Sequence, residues 1–156
     1  MKFICDDMLG KLAKFLRALG YDTFYDREIK DHQLLRRAAE EDRIVVTKDR
    51  KLIQVRTIPK YVLIWGNQPL EQLDELKQKA GLVIDKGSIF SRCLECNTPL
   101  TPIEKDRVKD KVWPYIYQTQ DRFWQCTRCD KIYWAGTHIQ RMQEKLKKSG
   151  IIVENR

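Results

Sequence analysis

Two hydrophobic periods alternate along the first half of the chain. Residues 2–6, KFICD, open with a short apolar run of strand length. Residues 8–19 then set Leu9, Leu12, Ala13, Leu16 and Leu19 at the spacing of one buried helix face, and Gly20 supplies a stop. Lys11, Lys14 and Arg17 fall off that face. Residues 23–25 read as a second short strand. Leu34, Leu35, Ala38 and Ala39 form the apolar side of a second helix, with Asp31 in the N-cap position. RIVVTKD and YVLIW are short unbroken apolar runs, the pattern of strands covered on both faces. Pro69 opens a third helix through Leu70, Leu73 and Leu76, and Gly81 ends it. Strand and helix alternate throughout, which predicts an α/β fold built on a doubly wound parallel sheet.

The pattern changes at DKGS, residues 85–88, which reads as a linker. Two domains are therefore expected, residues 1–86 and 87–156. In the second, VWPYIYQ and KIYWAG look like short β pieces, with Pro114 restricting the first to an edge or a bulge. Thr137-x-x-Gln140 has the form of a capping box for a last helix. On that helix Ile139, Met142 and Leu146 face one way, and Arg141, Lys145 and Lys148 form a basic stripe.

Two groups of residues carry chemistry. Cys93-x-x-Cys96 and Cys126-x-x-Cys129 pair four thiols at the spacing of a tetrahedral Zn²⁺ site. Four ligands fill the shell, so this zinc is expected to be structural. Cys5, alone in the first strand, reads as a buried core residue. The second group is acidic. Asp6 ends strand one and Asp49 follows the RIVVT strand, so both belong to the carboxyl edge of a parallel sheet, where ligands bind. Asp31 starts a helix on that same edge. Three converging carboxylates repel one another unless a cation sits between them, and hard oxygen ligands suit Mg²⁺ or Mn²⁺. Such an ion can activate water against a phosphodiester. Asp31 also has a plain role as a helix cap. Asp7 reads as a first-turn residue favouring the helix dipole, and Asp22 belongs to the opposite edge.

These residues carry a family resemblance. DHQLLRRAAEEDRIVVTKDRKL resembles the second half of a PIN-domain nuclease, with an acid, an apolar helix and a strand ending in Thr-x-Asp. FICDDMLGKLAKFLRALGYDTFYD is similar to the mutator-seven C-terminal ribonuclease family, in which a PIN-like domain precedes a zinc ribbon. SRCLECNTPL and FWQCTRCDKIYWAGTHIQRM match that family's second part. The resemblance covers nearly the whole chain. It implies a metal-dependent ribonuclease with Asp6, Asp31 and Asp49 as catalytic metal ligands. PIN nucleases commonly add a fourth acid, for which this chain offers Asp26 or Glu28.

Charge points to the same partner. The chain carries 30 Lys+Arg against 22 Asp+Glu, a net charge of +8. The excess is +3 in residues 1–86 and +5 in residues 87–156. A basic balance attracts polyanions. Aromatic residues at 113, 115, 117, 124, 133 and 134 are interleaved with Lys and Arg, a composition that can stack single-stranded bases and track phosphates. Lys11, Lys14 and Arg17, with Arg141, Lys145 and Lys148, are the candidate RNA contacts. The alternative is a non-catalytic RNA-binding module with a degenerate acidic site. A phosphoacceptor receiver domain is disfavoured, because YVLIWGN lacks the hydroxyl expected after strand four. No Gly-rich phosphate loop is present. No apolar run reaches membrane-spanning length and no leader is evident, so a soluble, cytoplasmic protein is expected.

Overall fold

The structure is a computed structural model that describes residues 1–153. The chain divides into two compact units, Met1–Phe90 and Ser91–Arg156. Among the described residues, no helix is long and apolar enough to cross a membrane.

The first unit is a four-stranded parallel sheet. Its strands are β1 (Lys2–Cys5), β2 (Asp22–Phe24), β3 (Ile44–Thr47) and β4 (Tyr61–Leu63), in the order β2-β1-β3-β4. The helices are α1 (Gly10–Ala18), α2 (Asp31–Glu41) and α3 (Pro69–Ala80). Phe3, Ile4, Cys5, Val45 and Val46 are fully buried, as a parallel sheet covered by helices requires. Ile4 and Val45 are register partners, and both pack with Leu34 and Ala38 of α2 and with Leu52. Phe3 and Cys5 point the opposite way, since side chains alternate along a strand. Helices α1 and α3 pack against each other. At the amino ends of the strands, buried Arg43 donates to the Asp22 carboxylate at 2.8 Å and to the Phe3 carbonyl at 3.1 Å. Asp22 is thereby committed to that edge.

Several helix ends differ from the sequence expectation. Asp6 caps a 3₁₀ turn, Asp7–Leu9, and only then does α1 begin. Asp31 is the first helical residue of α2 and not its cap, because Lys30 occupies the extended N-cap position. The Lys30 N–H is satisfied instead by Gln33 Oε1 at 3.2 Å. Gly20 does stop α1, at φ +91°. A Cβ there would also lie 2.5 Å from the Ser88 carbonyl oxygen, so glycine is required twice over. Residues Lys86–Ser88 form a 3₁₀ turn capped by Asp85.

The second unit contains an antiparallel sheet of β5 (Leu100–Ile103), β6 (Phe123–Cys126) and β7 (Ile132–Tyr133), with helices α4 (Pro114–Thr119) and α5 (Thr137–Lys148). The KIYWAG strand is present, but the strand expected in VWPYIYQ is α4. Pro114 sits at the first helical position, where its missing N–H costs nothing. Ile116 and Tyr117 then pack on Val108, Phe123 and Ile132. The strand that pairs with β6 is Leu100–Ile103, and its Pro102 is tolerated because β5 is an edge. The capping box at Thr137 is also absent. Gly136 is the N-cap, Thr137 is helical, and Gln140 Nε2 donates to the Ala135 carbonyl at 3.3 Å.

Candidate functional site

Strands β1 and β3 are neighbours whose connections diverge. β1 leads through α1 to β2 on one side, and β3 leads to β4 on the other. The carboxyl ends of such a pair form the crevice at which open α/β sheets bind ligands. Asp6 lies at that point. Its N–H extends the ladder to the Val46 carbonyl at 2.9 Å, which turns the following carboxylate into the crevice edge. Asp6 Oδ1 accepts from the Asp7 N–H at 2.7 Å, and Oδ2 accepts from the Thr47 hydroxyl at 2.7 Å. Thr47 Oγ1 accepts in turn from the Asp49 N–H at 2.9 Å. One buried hydroxyl therefore orients the Asp6 carboxylate and fixes the backbone at Asp49. Thr47 carries no acid or base of its own, and its one signal in the sequence is the Thr-x-Asp ending of β3. Asp49 Oδ1 accepts from the Lys51 N–H at 2.8 Å, a local turn that aims the side chain without burying it.

Asp6 is only 7% exposed. Burial, and then the Asp7 carboxyl beside it, push its pKa up to about 6 against the opposing Thr47 hydrogen bond. Tyr25 ties the adjacent turn down by donating to the Asp7 carbonyl at 2.8 Å. Gly10 makes room for it, since a Cβ there would lie 2.8 Å from the Tyr25 hydroxyl oxygen.

Asp31 is exposed in the first turn of α2. Thr47 links the Asp6 carboxylate to the Asp49 backbone, and Asp31 is not part of that network. Asp26 is exposed and accepts from the Glu28 N–H at 2.9 Å. Cys5 is fully buried, and burial pushes its thiol up to about 12, which suits a core residue and not a nucleophile.

The second unit holds the four thiols. Cys93, Cys96, Cys126 and Cys129 place their sulfurs within 4.8 Å of one another and are positioned to bind a metal ion. Two equivalent turns do this. The Asn97 N–H donates to the Cys93 carbonyl and the Asp130 N–H to the Cys126 carbonyl, each at 2.9 Å. Asn97 and Asp130 take left-handed backbone conformations, φ 69° and 62°, which Asn and Asp tolerate. Within each turn an N–H also reaches back to sulfur, from Cys96 to Cys93 at 3.4 Å and from Cys129 to Cys126 at 3.5 Å. The Cys93 and Cys129 sulfurs are 3.8 Å apart. A tetrahedron with Zn–S bonds of about 2.3 Å has an edge of about 3.8 Å, so the donor set fits. The Tyr133 hydroxyl accepts from the Leu94 N–H at 3.1 Å and lies within hydrogen-bond distance of Cys93 Sγ, at 3.1 Å. Burial raises the Cys96 thiol to about 12, with the neighbouring sulfurs adding to it. Burial is outweighed at Cys126, where backbone N–H groups of Cys129 and Arg128 bring the thiol down to about 7.

The candidate nucleic-acid contacts separate by exposure. Lys11 and Lys14 are exposed, as are Arg141, Lys145 and Lys148 on α5. Arg17 is not available for phosphate. It is 4% exposed, and its Nε donates to the Thr23 carbonyl at 3.0 Å. It sits beside the apolar face of α1, and a long stem lets the guanidinium reach across to β2. Among the ribbon aromatics, Tyr133 is buried against Cys93, and Tyr117 and Trp134 join the core. Trp113 and Tyr115 remain open at 80% and 72% exposure.

Comparison with known proteins gives three findings. The Mut7-C RNAse domain family matches residues 1–146. A protein of Homo sapiens described as exonuclease mut-7 homolog is 30% identical over 135 residues, covering 78% of this chain and 14% of that protein. This chain therefore spans a small part of the length of that curated relative. No solved structure matches.

Proposed function

The chain belongs to the Mut7-C RNAse domain family and is a nuclease domain by that membership, and from this premise we propose that it hydrolyses RNA phosphodiesters with Mg²⁺ or Mn²⁺ held by Asp6, Asp49 and Asp31. The observation that carries this reading is the buried Asp6 carboxylate, clamped by Thr47 at the point where the sheet connections diverge. A charge kept out of water without a cationic partner costs stability, and its retention there is explained by a ligand role. Asp6 is the anchoring anion, Asp49 the second, and exposed Asp31 the third on the same edge. Mg²⁺ keeps several of its waters, so its ligands need not touch one another beforehand. When bound, the ion would neutralise the phosphodiester and lower the pKa of the attacking water. The chain's own part is to hold carboxylates at that edge, with Thr47 fixing Asp6 and the Lys51 N–H turning Asp49. The cysteine quartet is assigned to structural Zn²⁺, since it has no open coordination position. RNA would be held by the basic, aromatic ribbon and by Lys11 and Lys14, with Trp113 and Tyr115 offering stacking faces.

The test is cleavage of labelled single-stranded RNA by the zinc-loaded protein, with and without added Mn²⁺ or Mg²⁺. Asp49→Asn keeps the turn to Lys51 and removes the charge. It should lower cleavage by about 100-fold or more while RNA binding persists. Asp31→Asn changes only an exposed first-turn charge, so a loss of cleavage there would report a ligand and not a structural role. Unchanged cleavage in both variants would sink the proposed site. RNA binding with no turnover under any divalent ion would favour the non-catalytic module.

A further inference from the structure

Trp65 follows β4 at the same carboxyl edge, and it is 57% exposed. Its position is set by register. Thr47 of β3 pairs with Leu63 of β4, so Asp49 and Trp65 each stand two residues beyond the paired ends of adjacent strands. Adjacent strands lie about 4.8 Å apart. Arg50, the residue after Asp49, holds its guanidinium 4.1 Å from the centre of the Trp65 ring.

The backbone under this tryptophan is unusually well held. Both Glu75 carboxylate oxygens accept from the Trp65 N–H at 3.0 Å, and one accepts from the Gly66 N–H at 2.9 Å. Lys79 Nζ fixes Glu75 at 2.6 Å, and Lys48 Nζ donates to the Gly66 carbonyl at 2.8 Å. A large aromatic is thus held rigidly in water, beside the acids, with a cation against it.

We propose that Trp65 and Arg50 form a shelf for the nucleotide next to the scissile phosphate, with the indole stacking an unpaired base and Arg50 contacting backbone phosphate. This rests on the reading of the acidic edge as the RNA cleavage site and names its substrate as single-stranded. Stacking is blind to base identity but needs a free base face, so it selects unpaired RNA over duplex. Trp65 is a positioning residue, since it acts on the strand and not on the reacting atoms.

The test is binding of a labelled 12-nucleotide oligoadenylate to the full, zinc-loaded chain with no Mg²⁺ or Mn²⁺ added, where no turnover is expected. Trp65→Ala should weaken binding by about 5- to 150-fold, the worth of one stacked base. Trp65→Phe should restore most of it. The same variants should bind a blunt RNA duplex as the unmodified chain does. Arg50→Gln, at an exposed position outside the core, should flatten the salt dependence by about 0.7 in log–log slope, one single-strand phosphate contact. In turnover assays KM should rise with Trp65→Ala and recover with Trp65→Phe. If Trp65→Ala binds oligoadenylate normally while the unmodified chain cleaves RNA, the shelf is wrong and the nuclease reading stands. If binding weakens as stated but no divalent ion supports cleavage, the shelf stands and the nuclease reading falls.

Discussion

A carboxylate at the end of β1 works against folding as long as it is ionised and has no cation. Asp6 takes its proton more readily in the folded chain than in water, with a pKa of about 6 against 3.8. The sign follows from linkage. Between those two values the folded state binds more protons than the unfolded one, so stability falls as pH rises through the window and stays lower above pH 6. Asp6→Asn removes the penalty; its Oδ1 can still accept from the Asp7 N–H, and its Nδ2 can donate to the Thr47 hydroxyl oxygen. With zinc retained and no Mg²⁺ or Mn²⁺ added, the variant should therefore melt above the unmodified protein at pH 8, and the gap should close near pH 4. Saturating Mn²⁺ should raise the melting temperature of the unmodified chain and leave the variant nearly unmoved. A variant that melts lower at every pH would mean that Asp6 is a structural anion. Thr47 belongs to the same scale. Its hydroxyl serves two acids at once, a role visible only when β1 and β3 are adjacent.

At the level of elements, amphipathic helices were the legible part of this chain. Leu12, Ala13 and Leu16 are buried on α1, and Leu73 and Leu76 on α3, as their spacing required. Helix α5 keeps the same logic, with Leu146 buried, Ile139 and Met142 half-buried, and Arg141, Lys145 and Lys148 exposed. An exposed basic stripe is ordinary on a soluble helix, so its role needs a measurement. Changing the three together to Gln should weaken binding of single-stranded RNA and reduce the log–log salt slope by about 2, since three fewer counterions are released. An unchanged slope would move the contact surface to Lys11 and Lys14. Arg17 shows how periodicity alone misleads. A position just off the apolar face is free to become solvent-facing or to bond a neighbouring strand, and the β2 carbonyl decided it. Helix α4 shows the limit of local preference. Its aromatic, β-branched run favours a strand, yet Ile116 and Tyr117 find the ribbon core only from a helical turn.

For the molecule as a whole, each unit buries apolar clusters of its own, among them Ile4, Leu34, Ala38, Val45 and Leu52 in the first and Val108, Phe123 and Ile132 in the second. The second is small, and its strands are short. Small units of this kind depend on metal for folding energy. Protein purified without chelator should hold one tightly bound zinc per chain, and metal analysis finding none would contradict the assignment. Cys126→Ser should abolish that zinc and the hydrogen-exchange protection of β5, β6 and β7, while amides of β1 and β3 stay protected. Loss of protection in both units at once would mean that the sheet cannot stand without the ribbon.

Spacing along the chain was enough for every feature that is local. The apolar periods gave the alternating elements, the two Cys-x-x-Cys pairs gave a four-thiol site, and Asp6 and Asp49 could be placed on one sheet edge because parallel strands end together. Tertiary structure decided what depends on which strands are neighbours. Only the order β2-β1-β3-β4 puts Thr47 beside Asp6, leaves Asp31 outside their network, and brings Arg50 and Trp65 together at the end of β3 and β4. The reason is physical. Periodicity reports whether a side chain turns inward, but hydrogen bonds and stacking over 3–4 Å depend on residues tens of positions apart, and nothing in the local pattern encodes that distance.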